Sequence, residues 1–361
     1  MTDTSPEAPR TGGHAGYLRI ATEEAFAPRE LIAHWRDMLD RGAVDDPGFL
    51  SLWGFYLGTR SERTTFVVDR LQDLGEGRLA DMDATGIDRQ IISLTSPGTQ
   101  AFDRDLGVAM ATLANDQLAD ACRRHPDRFS GLTAIAPQDP EGAAKEIERG
   151  ARELGLNGVI INSHTNGEYL DAPKFWPILE AAEALDTPIY LHPNTPSRGM
   201  IQPLLDAGLD GAIYGFAVET GMHVLRMITA GVFDRFPRLK LVVGHLGEAL
   251  PFWLFRLDYM HAATVRAGRY EAMKPIAKRP SDYLRENVWV TSSGMAWAPA
   301  IMFCRDVLGP ERVLYAMDYP YQFVADEVVA HDRLPIDADE KKALFQTNAE
   351  RVFGLEGDRP R

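Results

Sequence analysis

Cysteine is scarce in this 361-residue chain. Cys122 and Cys304 are the only two, each in a helix-like stretch with no second thiol nearby, so both are read as buried thiols of a protein kept in a reducing compartment. A run of about 18 apolar residues is also missing, which excludes a membrane-spanning helix. Positive charge is in short supply: 38 Lys and Arg face 52 Asp and Glu, for a formal net charge of −14. Such a surface repels phosphate backbones and anionic lipid, so neither nucleic acid nor membrane is expected as a partner. An anionic substrate would therefore need local positive charge, from a metal or from arginine. Residues 1–16 lack the apolar stretch of a signal peptide and are expected to be a disordered lead-in, with a short tail at 356–361 and a cytoplasmic location.

The hydrophobic content, 45%, is ordinary for a globular chain and ample for one large core. Eight short apolar runs bounded by turn residues predict eight strands: 18–22, 90–95, 131–136, 158–162, 188–192, 239–244, 288–292 and 313–317. Amphipathic stretches at 106–125, 142–154, 173–185 and 223–236 predict helices between them. Strand and helix alternating eight times indicate an α/β fold, a (β/α)8 TIM barrel occupying 17–355 as one domain. A doubly wound sheet is the alternative. It lacks support because no G-x-G-x-x-G follows the first strand and polar residues follow nearly every strand. Two connections, after strands 1 and 5, are long (25–88 and 193–238) and are read as lids or subunit contacts over the barrel mouth.

Chemistry in such a barrel gathers where the strands end. There the sequence places Glu23, Thr95, Pro137, Asn162 with His164, His192, His245, Ser292 with Ser293, and Asp318. Glu23 is a metal ligand or a helix-capping carboxylate. His192, ending the apolar run IYLH, is a ligand or a hydrogen-bonded core histidine. Asp318 in LYAMD can bind a metal, carry a proton or cap a helix. His245 and Glu248, spaced as GHLGE, allow the carboxylate to reach the imidazole and set its tautomer, making His245 a fourth ligand or a proton partner. His164 is undecided between lining the site and bracing its loop. His223 and His261 fall in helical patterns and read as structural. Arg63, Arg256 and Tyr56 carry little signal by themselves.

These residues sit within an ordered set of motifs that resembles the metal-dependent decarboxylase branch of the amidohydrolase superfamily, whose members include γ-resorcylate and 2,3-dihydroxybenzoate decarboxylases. The likeness runs from Tyr17 to Leu355 through YLRIATEEAFA, SLWGFY, RLADMDATGID, LTSPG, APQDP, INSHT, LDGAIYGF, VETGMH, VGHLGEALPFW, RLDYMH, AMDYPYQ and FQTNAE. The resemblance implies that Glu23, His192 and Asp318 hold one divalent metal, Mn2+ in preference to Zn2+, and that His245 and Glu248 form a proton network beside Asp318. It further implies that Thr95, Phe216, Arg256 and Tyr321 line the substrate pocket, and that Tyr56 and Arg63 reach in from a neighbouring subunit of a homodimer or homotetramer. Hydrolytic relatives usually carry His-x-His after the first strand and often a lysine after the fourth. Here those places hold Glu23, Ala25 and Asn162, which speaks against a binuclear hydrolase.

The expected reaction is non-oxidative decarboxylation of an ortho-hydroxy aromatic acid, with 5-carboxyvanillate as the leading substrate. Direct loss of CO2 would leave an aryl anion, so the ring carbon must be protonated first, with Asp318 as the acid and His245 returning the proton. Arg63 and Arg256 would grip a second, remote carboxylate. A lactonase of the same superfamily and a non-catalytic barrel are the alternatives.

Overall fold

The computed structural model describes residues 16–355. The lead-in and tail expected at 1–16 and 356–361 lie outside the described residues, Gly16 excepted. The apolar runs form strands β1 (Ile20–Phe26), β2 (Arg89–Leu94), β3 (Phe129–Gly131), β4 (Thr133–Ala134), β5 (Val159–Asn162), β6 (Ile189–His192), β7 (Leu241–Val243), β8 (Val288–Thr291) and β9 (Val313–Leu314). Every pairing between successive strands is parallel, and the strands are buried almost throughout, as continuous Val/Ile/Leu runs demand when both faces are covered. The ring closes where Thr22 donates its N–H and its hydroxyl to the Tyr315 carbonyl, at 3.1 and 2.9 Å.

The run expected at 131–136 appears as two pieces. Leu132 donates to Ile92 O, whereas Thr133 donates to Gly158 O. One tilted barrel strand thus pairs with β2 through its first half and with β5 through its second, which is how strand stagger expresses itself in a closed sheet. The first strand runs four residues beyond the expected Thr22, because its two glutamates, polar in sequence, are buried against partners described below.

The first long connection folds into α1 (Arg29–Asp40), α2 (Pro47–Gly58), α3 (Glu62–Leu71) and α4 (Glu76–Thr85). The crossovers α5 (Arg104–Arg124), α6 (Pro140–Arg149) and α7 (Trp176–Ala184) coat the barrel. The second long connection carries α8 (Arg198–Leu205), α9 (Gly215–Thr229) and α10 (Val232–Arg235). Helix was expected over 223–236, but it is interrupted at Gly231, whose φ of 76° suits a residue without a side chain. The two insertions meet over the mouth. Ser51 of α2 donates to Asp210 Oδ2 at 2.7 Å, and a Cβ at Gly48 would lie 2.1 Å from Thr195 Oγ1, so α2 approaches the β6 loop as closely as glycine alone permits. The one-turn α11 (His245–Glu248) leads into α12 (Leu250–Ala267), and α13 (Pro280–Glu286), α14 (Ala298–Leu308), α15 (Ala325–Asp332), α16 (Ala338–Lys342) and α17 (Asn348–Phe353) complete the chain. No described helix is long and apolar enough to cross a membrane.

Candidate active site

Adjacent residues of a strand point to opposite faces, so Glu23 and Glu24 cannot serve the same side of β1. A bulge sets which does what. Ala21 pairs with Gln90 and Glu24 with Ile92, so Thr22 and Glu23 together oppose Ile91 alone. The side chain of Glu23 lies among the strand residues of the barrel interior. Its Oε2 accepts hydroxyl hydrogen bonds from Tyr190, Ser293 and, at 2.9 Å, Thr291. Its Oε1 is buried with no hydrogen-bond partner.

His192 ends β6, opposite Asn162. Its Nδ1 hydrogen-bonds the Pro193 carbonyl at 2.8 Å, so Nδ1 carries the hydrogen and the lone pair is on Nε2, 3.5 Å from Glu23 Oε1. Asp318 follows β9 with φ of 73°. One ligand atom each from Glu23, His192 and Asp318 lies within 4.8 Å of the others. An orphaned carboxylate oxygen, an imidazole lone pair and a second carboxylate suit a single divalent cation.

His245 stands beside this trio, with Nε2 3.7 Å from Glu23 Oε1 and 4.0 Å from Asp318 Oδ2. Its Nδ1 hydrogen-bonds Glu248 Oε1 at 2.8 Å, and its backbone N–H donates to Ser293 Oγ at 3.1 Å. The chain reaches this geometry through a left-handed run. His245, Leu246, Glu248 and Ala249 have φ of 50, 56, 52 and 62°, with Gly247 at 78° between them. Each non-glycine residue held so costs about 1–2 kcal/mol, strain of the kind that collects at functional sites. Gly244 is required for a different reason: a Cβ there would lie 2.7 Å from Glu23 Oε2.

The electrostatics divide the two carboxylates. Burial opposes the charge on Glu23, but the His245 and His192 imidazoles and the hydroxyl donors outweigh it and hold its carboxyl below the usual range. Asp318 is raised instead, by burial first and by the Glu23 charge, against the pull of His245 and His192. Burial would lower His245, yet Glu248 and Glu23 raise it well above the ordinary histidine value. In the metal-free site the surroundings thus favour the neutral form of Asp318 and the charged form of His245, whereas a divalent cation on Asp318 would pull its pKa back down.

A cavity of about 390 Å3 opens above these groups. Of the residues singled out in sequence, His192, His245, Asp318, Tyr56, Arg63, Thr95, Phe216 and Tyr321 line it. Tyr321 and Thr95 share a hydroxyl hydrogen bond at 2.6 Å, Tyr56 packs edge-on against Tyr321, and Arg63 Nη2 donates to the Tyr321 carbonyl at 2.9 Å from an exposed rim position. Three of the expected pocket residues bear on the assembly. Tyr56 and Arg63, expected to enter a neighbour's site, face the cavity of their own chain. Arg256, expected in the pocket, does not line it. It lines a second, apolar cavity of about 610 Å3 between α9 and α12, because α12 carries it to the far side of α9 and of the His245–Glu248 pair.

His164 braces its loop, with Nε2 3.1 Å from Thr195 O and Nδ1 accepting from Gly167 N. His223 is buried and accepts from Leu170 N, and His261 contacts Lys274 O at the surface. Ser293, at the end of the seventh run in sequence, binds Glu23; sequence reasoning missed Tyr190 and Thr291, two strand hydroxyls whose only signal is a polar group facing inward, and Gln322, which lines the cavity beside Asp318.

An amidohydrolase family model matches residues 13–355. The fold matches 5-carboxyvanillate decarboxylase of Novosphingobium aromaticivorans at 59% identity and TM-score 0.94, covering 96% of this chain and 98% of that one; that structure holds manganese and 4-hydroxy-3-methoxy-5-nitrobenzoic acid. The Sphingomonas paucimobilis 5-carboxyvanillate decarboxylase matches at 41% identity and TM-score 0.89, over 94% of this chain and all of the other. A γ-resorcylate decarboxylase of a Polaromonas species is 33% identical over 346 residues, 93% of this chain and 98% of its own.

Proposed function

This chain belongs to the amidohydrolase family, and from that premise we infer that it is a metal-dependent carboxy-lyase acting on an ortho-hydroxy aromatic acid, with 5-carboxyvanillate as substrate. The observation that carries the reading is the unpartnered Oε1 of Glu23, buried beside His192 Nε2 and Asp318 at the base of a cavity with an arginine on its rim. The ligand in the 59%-identical structure has a nitro group next to its phenol. That nitro group stands where the departing carboxylate of 5-carboxyvanillate would be, and the remaining carboxylate matches the one retained in vanillate.

Glu23, His192 and Asp318 would hold one Mn2+, which would supply Lewis acidity toward the bound substrate. Arg63 binds the remote carboxylate by a charge-assisted hydrogen bond, while Tyr56, Tyr321 and Phe216 confine the ring. Asp318 gives its proton to the ring carbon that bears the departing carboxylate. The bond from that carbon to the carboxylate then breaks, its electron pair restores the aromatic ring, and CO2 leaves. His245, held by Glu248, returns a proton to Asp318, so one proton is consumed per turnover.

We also propose that residues 17–355 act as one domain and that the protein works in the cytoplasm on lignin-derived aromatics, as a homodimer. On the α12 side of the apolar cavity Phe252 is 75% and Phe255 84% exposed, with Tyr259 and Trp297 also exposed. Exposed aromatic side chains in this number, with Phe255 stacked on Tyr259, suit burial against a second copy of the chain. Arg256 rises from that surface and would complete the partner's cavity instead of its own. The deciding assay incubates Mn2+-loaded protein with 5-carboxyvanillate and follows vanillate and CO2, with γ-resorcylate and an aromatic lactone alongside. Turnover of the lactone alone would overturn the decarboxylase reading.

A further inference from the structure

Glu24 is buried next to Glu23 and points the other way. Its Oε1 accepts the backbone N–H of Met317 at 3.0 Å and its Oε2 that of Tyr319 at 3.3 Å. The two donors flank Asp318, whose φ of 73° is left-handed backbone, uncommon for a residue with a side chain though aspartate tolerates it better than most. Ala25 adds a third tie, its N–H donating to Tyr319 O at 2.7 Å. We propose that Glu24 is a positioning residue that clamps the backbone on both sides of Asp318 and thereby sets where the Asp318 carboxylate meets the metal and the substrate.

The clamp is itself braced. Gln90 Nε2 donates to Glu24 Oε2 at 3.4 Å, and Gln90 Oε1 accepts from Arg78 Nη1 at 3.0 Å. Arg78, fully buried, also donates to Ala25 O and Asp73 O, and its guanidinium lies 4.7 Å from the centroid of the Tyr319 ring. Three successive residues of β1 thus divide the work: Glu23 offers an oxygen to the metal, while Glu24 and Ala25 hold the backbone that offers the other carboxylate. The separation of the two carboxylate ligands is fixed through one short stretch of chain, not through the whole barrel.

The test is Glu24→Gln, which keeps length and one acceptor but turns an N–H donor toward one of the two backbone N–H groups. The readouts are Mn2+ affinity, from titration of the free-ion EPR signal, and the split between kcat and KM. Partners that orient a metal ligand typically change affinity or activity by about 10–100-fold. The expected result is a Mn2+ Kd at least about tenfold higher, a matching fall in kcat at saturating Mn2+, and a KM within about threefold of the parent. Asn115→Leu, which removes a buried hydrogen bond to Ala134 away from the site, serves as a control that lowers stability while leaving Kd alone. If E24Q behaves like that control, with its Mn2+ Kd within about twofold of the parent, Glu24 is merely structural. If E24Q does not fold, Gln90→Leu, which frees Glu24 Oε2 on its outer side, is expected to raise Kd at least about threefold, and an unchanged Kd overturns the proposal. The inference rests on the metal site proposed above. A parent protein that fails to bind Mn2+ sinks both readings, whereas a parent that binds it with E24Q equal to it sinks only this one.

Discussion

The imidazole Nε2 of His245 stands 4.0 Å from Oδ2 of Asp318, near enough for one to re-protonate the other after a small adjustment. Asp318→Asn keeps a carbonyl oxygen for the metal but has no acidic proton. The variant is expected to bind Mn2+ and substrate while kcat falls at least about a hundredfold, the low end for general acid catalysis. Vanillate incubated in D2O with the parent should gain deuterium at the former carboxyl position, and with the variant should not. Near-native turnover and exchange in a fully metal-loaded variant would transfer the acid role to His245.

Arg63 is exposed at the rim and spends one N–H on the Tyr321 carbonyl, leaving other donors for a ligand. Arg63→Ala is expected to lower kcat/KM on 5-carboxyvanillate by about 2 kcal/mol, chiefly through KM, with metal content unchanged. On a substrate without the second carboxylate, the loss should shrink severalfold. Equal losses on both substrates would take Arg63 off that carboxylate.

Three ligand side chains offer one cation site, and Asn162 stands where hydrolytic relatives often have lysine. Elemental analysis is expected to give about one Mn2+ per chain. Chelation should abolish turnover and Mn2+ should restore it. Two metals per chain, or turnover after verified stripping, would contradict the centre proposed here.

If Arg256 completes the partner's cavity, a homodimer of Arg256→Ala and a homodimer of Asp318→Asn should each be impaired, yet a mixture allowed to exchange subunits should recover activity. In the hybrid, one cavity receives both an intact Asp318 and an intact Arg256. Phe255→Asp should give a monomer by light scattering. A mixture no more active than its components places Arg256 outside the neighbouring site.

Burial first, then the nearby His164 and Arg226 charges, pushes His223 down to about 3. In the unfolded chain its pKa is about 6.5. Above that value both states hold neutral imidazole and stability is full; as pH falls from about 6.5 toward 3, only the unfolded chain takes up the proton and stability is lost. The expected slope is about 1.4 kcal/mol per pH unit in that window. Urea unfolding at pH 7 and pH 4.5 measures it, and His223→Gln, which preserves an acceptor for Leu170 N–H, should remove that share of the pH dependence.

The strands were legible because a parallel barrel buries both faces, so runs such as VIIN and IYLH stand out by composition alone. Glu23, His192 and Asp318 were legible as chemistry-bearing types at strand ends. The extension of β1 through Glu24 was not, because burial of two adjacent carboxylates depends on Tyr190, Thr291, Ser293 and two backbone N–H groups brought from far along the chain. The left-handed run from His245 to Ala249 likewise left no composition signal beyond Gly247. Arg256 was placed in the pocket by resemblance alone; within its own chain it lines the cavity between α9 and α12, and a contact made across subunits leaves no mark in the spacing of one chain.

Glu23 faces the metal position with one oxygen only. Tyr190, Thr291 and Ser293 all occupy Oε2, and Oε1 alone is without a donor. A carboxylate tied in this way cannot rock between one-oxygen and two-oxygen coordination, the swing by which glutamate ligands elsewhere make way for an incoming group. Glu23 would consequently supply a constant single oxygen to the centre. Any change of ligands as substrate enters and product leaves would then fall to Asp318 and to solvent, with β1 standing still.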